Sequence, residues 1–163
     1  MLKKKEKSSE EFWKEYEEES GEKILLHSLG RYISGWEEFD QRSWNNIWGL
    51  IIAGSKSFRF HHFSQQSWFD VFSTGGSRGS KEKTFSIPHE KISSVKLIQE
   101  TKWWVKFFRS SSPRILINYL DESGNERQLI LEADFKPREL AEKLKELSNQ
   151  ELSGQGSHGR AEK

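Results

Sequence analysis

The chain has 163 residues, of which 33% are hydrophobic and 31% charged, and its formal net charge is +1. This length can bury one complete core without disulfides or structural metals, so a single domain is expected. The small net charge excludes nonspecific nucleic-acid binding through counterion release, and the absence of cysteine excludes disulfides, thiolate catalysis and cysteine-based zinc sites.

Residues 1–20 form a charged N-terminal segment. A lysine-rich start leads into SSEEFWKEYEEES, in which Ser9 is placed to cap a short acidic helix. Phe12 and Tyr16 would share one face of this helix, and the sequence leaves open whether that face docks on the domain or the segment is a frayed arm. No apolar signal core follows the lysines and no stretch approaches the ~18 apolar residues of a membrane span, so we expect a cytoplasmic location.

Residues 21–148 are expected to form the domain, and their patterns are mostly those of short strands. They predict about seven or eight antiparallel strands with tight connections. The segments with strand character are EKILLHSLGRYIS, NNIWGLII, SFRFHHF, SWFDVFS, KTFSIP, KISSVKLIQE, KWWVKFF, RILINYL and RQLILEA.

Turn residues suggest how these strands pair. Gly54 in AGSK is expected to supply the positive φ of a tight hairpin turn, and Gly124 and Asn125 in DESGNE close the last hairpin. STGGSRGSKE is typical of a longer hairpin loop. KISSVKLIQE and KWWVKFF are predicted to form a further antiparallel pair.

The final element has a helical period. Leu140, Leu144 and Leu147 recur at i, i+4 and i+7 and give one apolar stripe, and Pro137 suits the first helical position. The stripe must be buried, and an open end of a curled sheet is the natural place for it. The helix is expected to end at about Leu147, with residues 149–163 as a disordered, Gly- and Ser-rich tail.

Three phrases combine into a recognisable pattern. In GLIIAGSKSFRFHHF, a glycine-led apolar strand turns into a strand of alternating basic and aromatic residues; FSIPHEKISSVKLI and ILINYLDESGNERQLILEAD follow, the latter leading into the helix from Pro137. From Glu22 to Leu147 this pattern resembles the pleckstrin-homology-like (PH-like) superfold, and within it the GRAM-like and bacterial PH-like domains. The resemblance implies a mainly β fold, a strongly bent seven-stranded antiparallel barrel or sandwich capped by a C-terminal amphipathic helix.

The resemblance also implies a noncatalytic binding module, because PH-like domains generally bind phosphoinositides, membranes, peptides or partner proteins. Phosphoinositide-binding members cluster Lys and Arg around the first hairpin. Here the connection GWEEFDQRSWNNIW is long and net negative, with Glu37, Glu38 and Asp40 against Arg42 alone. A phosphoinositide head group would be poorly served by it.

The pair His61 and His62 raises the question of a metal or proton-transfer site. Adjacent strand residues point to opposite faces, so the two imidazoles cannot ligate one ion, and no third ligand lies close in sequence. We therefore expect His62 to share one strand face with Phe58 and Phe60, and His61 to lie on the other.

The glycine-rich loop is a first candidate contact region. It fails the phosphate-loop pattern, but it carries Arg78, Lys81 and Lys83, which can touch an anion or a lipid surface. A solvated hairpin loop is the plain alternative.

A second candidate is the aromatic and basic segment KWWVKFFRSSSPR. Trp103, Lys106 and Arg109 have the composition of a membrane interface or a protein interface, although ordinary packing would also accommodate them. Trp36, Trp44 and Trp48, in the acidic connection, raise the same ambiguity.

Motifs for catalysis are missing from the sequence. There is no nucleophile elbow, His-Glu-x-x-His motif or dinucleotide-binding glycine pattern, so no catalytic residue, metal or cofactor is expected. The predicted function is noncatalytic recognition of a protein or peptide partner, and the alternative is peripheral binding to anionic membrane lipid. A small-ligand or enzymatic barrel would instead require a deep interior pocket. The partner's identity and the oligomeric state are not given by the sequence.

Overall fold

A computed structural model describes residues 9–41, 47–62, 83–98 and 113–155. Strands dominate this part of the chain, with a helix at either end of it. The elements are α1 (Ser9–Ser20), β1 (Ile24–Ser34), α2 (Glu37–Asp40), β2 (Ile47–Gly54), β3 (Ser57–His62), β4 (Lys83–Pro88), a 3₁₀ helix (His89–Lys91), β5 (Ile92–Ile98), β6 (Arg114–Leu120), β7 (Glu126–Ala133) and α3 (Pro137–Gln155).

The seven strands form one antiparallel sheet in the order β4-β3-β2-β1-β7-β6-β5. This confirms the predicted mainly β, seven-stranded antiparallel fold. The two edge strands, β4 and β5, are joined by the 3₁₀ helix, but no ladder connects them within the described residues. The sheet is therefore not closed into a barrel.

The core lies on one face of the sheet. Alternate residues of every strand point into it, because successive side chains of a strand project to opposite faces. The large side chains on this face that are completely buried include Ile51, Phe58, Phe60, Ile115, Ile117, Leu129 and Leu131. This regular alternation gives the sheet an apolar inner face and leaves its second face, which we call the outer face, to other contacts.

The leucine stripe of α3 covers part of the inner face. Leu140 and Leu144 are fully buried and Leu147 nearly so, as predicted, and α3 packs against β5 and the 3₁₀ helix. Burying each leucine contributes roughly 1.5–3 kcal/mol, so this stripe holds the helix on the sheet. The C-terminal helix predicted to cap the sheet is confirmed.

The end of α3 differs from the prediction. The helix begins at Pro137 as expected but continues to Gln155, past the boundary placed between Ser148 and a disordered tail. The residues after Leu147 include no proline and the next glycine is Gly154, so nothing interrupts the helical hydrogen bonds earlier. Ser148 also donates from its Oγ to the carbonyl of Lys145, at 3.0 Å. Residues 156–163 lie outside the described part of the chain.

The turn between β2 and β3 is built differently from the prediction. Gly54 does not have a positive φ; among the described glycines, only Gly21, Gly35 and Gly124 do. A side chain at Gly54 is excluded by crowding instead, because a Cβ there would lie 2.3 Å from Oε2 of Glu22. The turn therefore closes around a buried carboxylate, whereas Gly124, in the predicted turn between β6 and β7, has a positive φ of 80°.

KISSVKLIQE was predicted to pair with KWWVKFF, and the structure shows a pairing of β5 with another strand. β5 pairs with β6, the strand that follows KWWVKFF along the chain. The predicted strands at 67–73 and 102–108 both lie outside the described residues. In the described helices, no segment is long and apolar enough to cross a membrane.

Candidate interaction surface

Five residues form a continuous row across the outer face. Ladder pairs connect Trp48 with Arg31, Arg31 with Glu132, Glu132 with Arg114, and Arg114 with Ile98. Directly paired residues of neighbouring strands project to the same face, so these five side chains lie side by side on β2, β1, β7, β6 and β5. We call this set the outer row.

The centre of the outer row is an ion-pair cluster. Glu132 is only 9% exposed in its side chain and accepts hydrogen bonds from Nε of Arg31 at 3.0 Å and from Nε of Arg114 at 3.1 Å. The two guanidinium groups offset the cost of burying this carboxylate. Three unit charges of this composition sum to +1, so the middle of the row is positive.

The ends of the outer row are apolar. Trp48 and Ile98 are each 41% exposed, which is high for side chains of this size and polarity. They are four strands apart, or roughly 19 Å at the usual strand spacing of about 4.8 Å. Two half-buried aliphatic pairs border the row, Leu29 with Leu50 on one side and Leu116 with Ile130 on the other.

Helix α1 covers the neighbouring part of the outer face. Its Trp13 ring packs on His27 with centroids 4.0 Å apart, and its Tyr16 ring meets His61 edge-on at 5.8 Å. Ile52, which points outward from β2, is completely buried. The N-terminal segment is thus a docked helix from Ser9 onward, and not a frayed arm.

The cover that α1 provides is strongly acidic. Its twelve residues include six Glu against one Lys, a net charge of −5. Phe12, Trp13 and Tyr16 remain half-buried, so the aromatic cluster of α1 adds to the apolar surface beside the outer row. The outer face as a whole therefore combines aromatic and aliphatic groups with charge of both signs.

Two of the eight predicted contact residues lie within the described chain, and both make internal contacts. Trp36 stacks on Phe85, with ring centroids 4.4 Å apart and planes within 10°, and packs against the core. Lys83 is half-buried, and its Nζ lies 3.6 Å from a carboxylate oxygen of Glu38. The other six predicted residues lie outside the described part of the chain: Trp44, Arg78, Lys81, Trp103, Lys106 and Arg109.

The acidic connection after β1 is held by a hydrogen-bond network. The hydroxyl of Tyr32 donates to Oδ1 of Asp40 at 2.6 Å and accepts from the backbone N–H of Trp36 at 2.6 Å. Burial, and then the hydrogen bond to Asp40, raise the pKa of Tyr32 well above its usual value. Asp40 also accepts from the backbone N–H of Gly35 at 3.1 Å. Asp40 therefore has a structural role through these hydrogen bonds, and Glu37 and Glu38 are exposed.

The histidine pair divides between the two faces as predicted. His62 is buried on the inner face, with Nδ1 2.8 Å from the carbonyl of Trp48. His61 lies on the outer face, 2.6 Å from Oγ1 of Thr84, and burial with the nearby His62 lowers the pKa of His61 to about 4. Within the described residues no three potential metal ligands converge. The pair belongs to the strand.

Sequence reasoning did not bring the outer row together. Alternation in the separate strands places Arg31, Arg114 and Ile98 on outward positions, but it does not say which outward positions are neighbours. Arg31 and Glu132 are 101 positions apart in sequence and meet only through the β1–β7 register. That register also includes a shift between Tyr32 and Ser34, which no local pattern announces.

No protein-family model matches the chain, and no curated protein matches it either. Among solved structures, the C-terminal domain of an unknown protein from Leishmania infantum is similar with 16% identity and a TM-score of 0.42, over 86% of this chain and 94% of that one. The hSac2 domain from human phosphoinositide phosphatase Sac2 is similar with 10% identity and a TM-score of 0.46, over 94% of this chain and 87% of that one. At these values neither likeness carries an inference.

Proposed function

We propose that this chain is a noncatalytic binding module of the PH-like kind, with sequence motifs similar to those of GRAM-like domains. It recognises a protein or peptide partner on the outer face of its sheet. The observation that carries the proposal is the outer row. Trp48 and Ile98 expose apolar surface at both ends of a positive centre, and aromatic residues and arginine are enriched in protein interfaces.

The filled interior supports a ligand site on the outside. Phe39, Phe60 and Phe85 pack ring against ring beneath Tyr32, with centroid separations of 5.2–6.3 Å. A small-ligand or enzymatic barrel needs a concave space with convergent polar groups, and aromatic side chains occupy that position here. Recognition without catalysis on the outer face is the function that fits this arrangement.

The charge of α1 favours a protein over an anionic membrane. A membrane surface approaching the outer face would meet a helix of net charge −5 lying on the same face, and like charges repel. The alternative of lipid binding also counts Lys83 among its contacts, and that lysine lies beside Glu38. A folded protein or a peptide can place its own charges to avoid α1, so it is the better occupant.

Selection from a random peptide library tests the proposal without knowledge of the natural partner. The whole chain is immobilised and the peptides that bind to it are recovered. The affinity of each peptide is then measured for the wild type, for Ile98→Glu and for Leu120→Glu. Both positions are 41% exposed, but Leu120 ends β6 six residues from Arg114, which is roughly 20 Å along the strand. Peptides that lose at least about tenfold in affinity with Ile98→Glu and less than about twofold with Leu120→Glu are the expected result.

Vesicle co-sedimentation provides the competing readout. Vesicles of phosphatidylcholine alone are compared with vesicles containing about 30% phosphatidylserine, at low and high salt. The proposal expects the chain to stay in the supernatant in all four conditions. Salt-sensitive binding to the anionic vesicles, together with the absence of any peptide that depends on Ile98, would replace protein recognition with membrane binding.

A further inference from the structure

The outer row points to the chemistry of its partner. Resting on the proposed function, we infer that the recognised segment carries a carboxylate that binds Arg114, flanked by apolar side chains that contact Ile98 and Trp48.

The exposed cation of the row is the first support. The guanidinium of Arg114 uses Nε to donate to Glu132, and the Arg114 side chain is 41% exposed whereas that of Glu132 is 9% exposed. A guanidinium carries five N–H donors in a fixed fork, so Arg114 retains donors for a second acceptor. An approaching group meets the arginine before it meets the carboxylate beneath. A carboxylate is the planar anion that fits this fork with two parallel hydrogen bonds.

Preorganisation makes the contact economical. The bond to Glu132 already fixes the Arg114 side chain, so binding a second carboxylate costs less rotamer entropy than it would at a free arginine. Ile98 is the ladder partner of Arg114, and apolar groups beside a charged contact exclude water from it. The carboxylate of the partner is therefore expected to be a major determinant of affinity.

The positions along the row set a spacing for the partner. Arg114 is one strand from Ile98 and three strands from Trp48, or roughly 5 Å and 14 Å. An extended segment advances about 3.3 Å per residue. Its acidic residue should lie one or two positions from the side chain that contacts Ile98 and about four positions from the side chain that contacts Trp48.

Helix α1 is an internal precedent on the same face. It brings an aromatic cluster onto the strands next to the outer row, where Trp13 packs on His27 and Tyr16 meets His61, while five of its six glutamates are exposed. Nη2 of Arg59, on the same face, donates to the carbonyl of Ser20 at the end of the helix, at 3.4 Å. The outer row continues this interface across β1 toward β5 with the same pairing of apolar groups and arginines. An apolar segment with a carboxylate at Arg114, which lies on β6 and away from the strands that α1 contacts, is complementary to it.

A double-mutant cycle tests the inference with the peptides recovered above. Each peptide is synthesised as selected and with its acidic residue changed to the amide, and both forms are titrated against the wild type and Arg114→Gln. We expect Arg114→Gln to weaken the acidic peptide by about tenfold or more and the amide form by less than about twofold. Arg127→Gln is the matched control, because Arg127 is an exposed arginine paired with Asp121 at the β6–β7 turn.

A second variant separates charge from shape. Arg114→Lys keeps the positive charge but loses the fork, so its effect should fall between those of the wild type and Arg114→Gln. Denaturant unfolding of each variant shows whether the fold is intact. Peptides that depend on Ile98 but bind Arg114→Gln as tightly as wild type would overturn the carboxylate inference and leave the proposed function standing. Failure to recover any peptide that depends on Ile98 would overturn both.

Discussion

Removing the carboxylate of Glu22 should strongly destabilise the fold. This side chain is buried and accepts hydrogen bonds from the backbone N–H groups of Lys56 at 3.0 Å and Ser57 at 2.9 Å, from Oγ of Ser57 at 2.6 Å, and from Nε of Arg59. It joins the start of β1 to the β2–β3 turn. Glu22→Ala would leave these donors without their acceptor in a site that excludes most water.

The expected loss is about 3 kcal/mol in the free energy of unfolding. Truncating one member of a buried ion pair costs roughly 3–5 kcal/mol, and the partner Arg59 is 22% exposed, so water can compensate part of its loss. The lower end of that range therefore applies. For a chain of 150–250 residues each kcal/mol corresponds to about 2–4 °C in Tm, so Glu22→Ala should melt roughly 6–12 °C below wild type.

Urea unfolding followed by tryptophan fluorescence measures this loss. Glu139→Ala is the matched control, because Glu139 is 57% exposed and pairs with the exposed Lys136 one turn away. Its loss in the free energy of unfolding should stay within about 0.5 kcal/mol. A cost below about 1 kcal/mol for Glu22→Ala would show that the carboxylate does not organise the turn.

The lowered pKa of Glu22 also predicts that the stability of the fold decreases at acidic pH. Burial acts to raise the pKa of Glu22, but hydrogen bonds from Ser57, Lys56 and Arg59 outweigh it and hold that pKa below the ordinary 4.5. The stabilisation is therefore complete above pH 4.5 and is lost as the pH falls toward the folded pKa. Glu22→Gln should remove this part of the slope, and an unchanged slope would contradict the assignment.

Three further predictions concern other parts of the fold. The pKa of His61 is about 4 in the folded chain against an ordinary 6.5, so its imidazole takes up a proton in the unfolded chain at a higher pH than in the folded chain. The free energy of unfolding should therefore fall from pH 6.5 to 4, and His61→Gln should flatten that fall. NMR titration of the imidazole measures the pKa directly. Gly35→Ala should lower the free energy of unfolding in urea by more than about 3 kcal/mol, because φ at Gly35 is +108° and a Cβ would lie 1.9 Å from a backbone oxygen. Gly124 also has a positive φ but lies in open space, so Gly124→Ala should lower it by about 1 kcal/mol. Leu144→Ala should cost about 2–5 kcal/mol in the same assay and Leu120→Ala less than 1.

Periodicity was enough to predict most of the architecture. Alternation located the described strands, and the spacing of Leu140, Leu144 and Leu147 located the helix that covers them. Both signals depend on the local geometry of one element, in which every second or every third to fourth side chain must be apolar if one face is buried. The α3 end was missed because the apolar stripe stops near Leu147 while the backbone hydrogen bonds continue.

Contacts that depend on how strands align with one another could not be predicted from the periodicity of single strands. Glu22 meets Ser57 across 35 positions, and Gly54 is glycine because of that meeting, not because of its own φ. The sequence offered only the ordinary reading of a glycine in a turn. The pairing of Arg31 and Arg114 around Glu132 is of the same kind, since it requires the positions of three strands at once.

The tryptophans show why composition alone left the function open. Trp36 and Trp48 are both large aromatic residues near the acidic connection, yet Trp36 stacks on Phe85 against the core and Trp48 stands outward at the end of the outer row. What separates them is the face each backbone position presents. An interaction surface on a sheet is therefore defined by outward position together with register, and the sequence could not distinguish Trp48 from Trp36 before Arg31 was known to lie beside Trp48. The same argument makes Ile98, a residue with no distinguishing sequence signal, the more informative position to mutate.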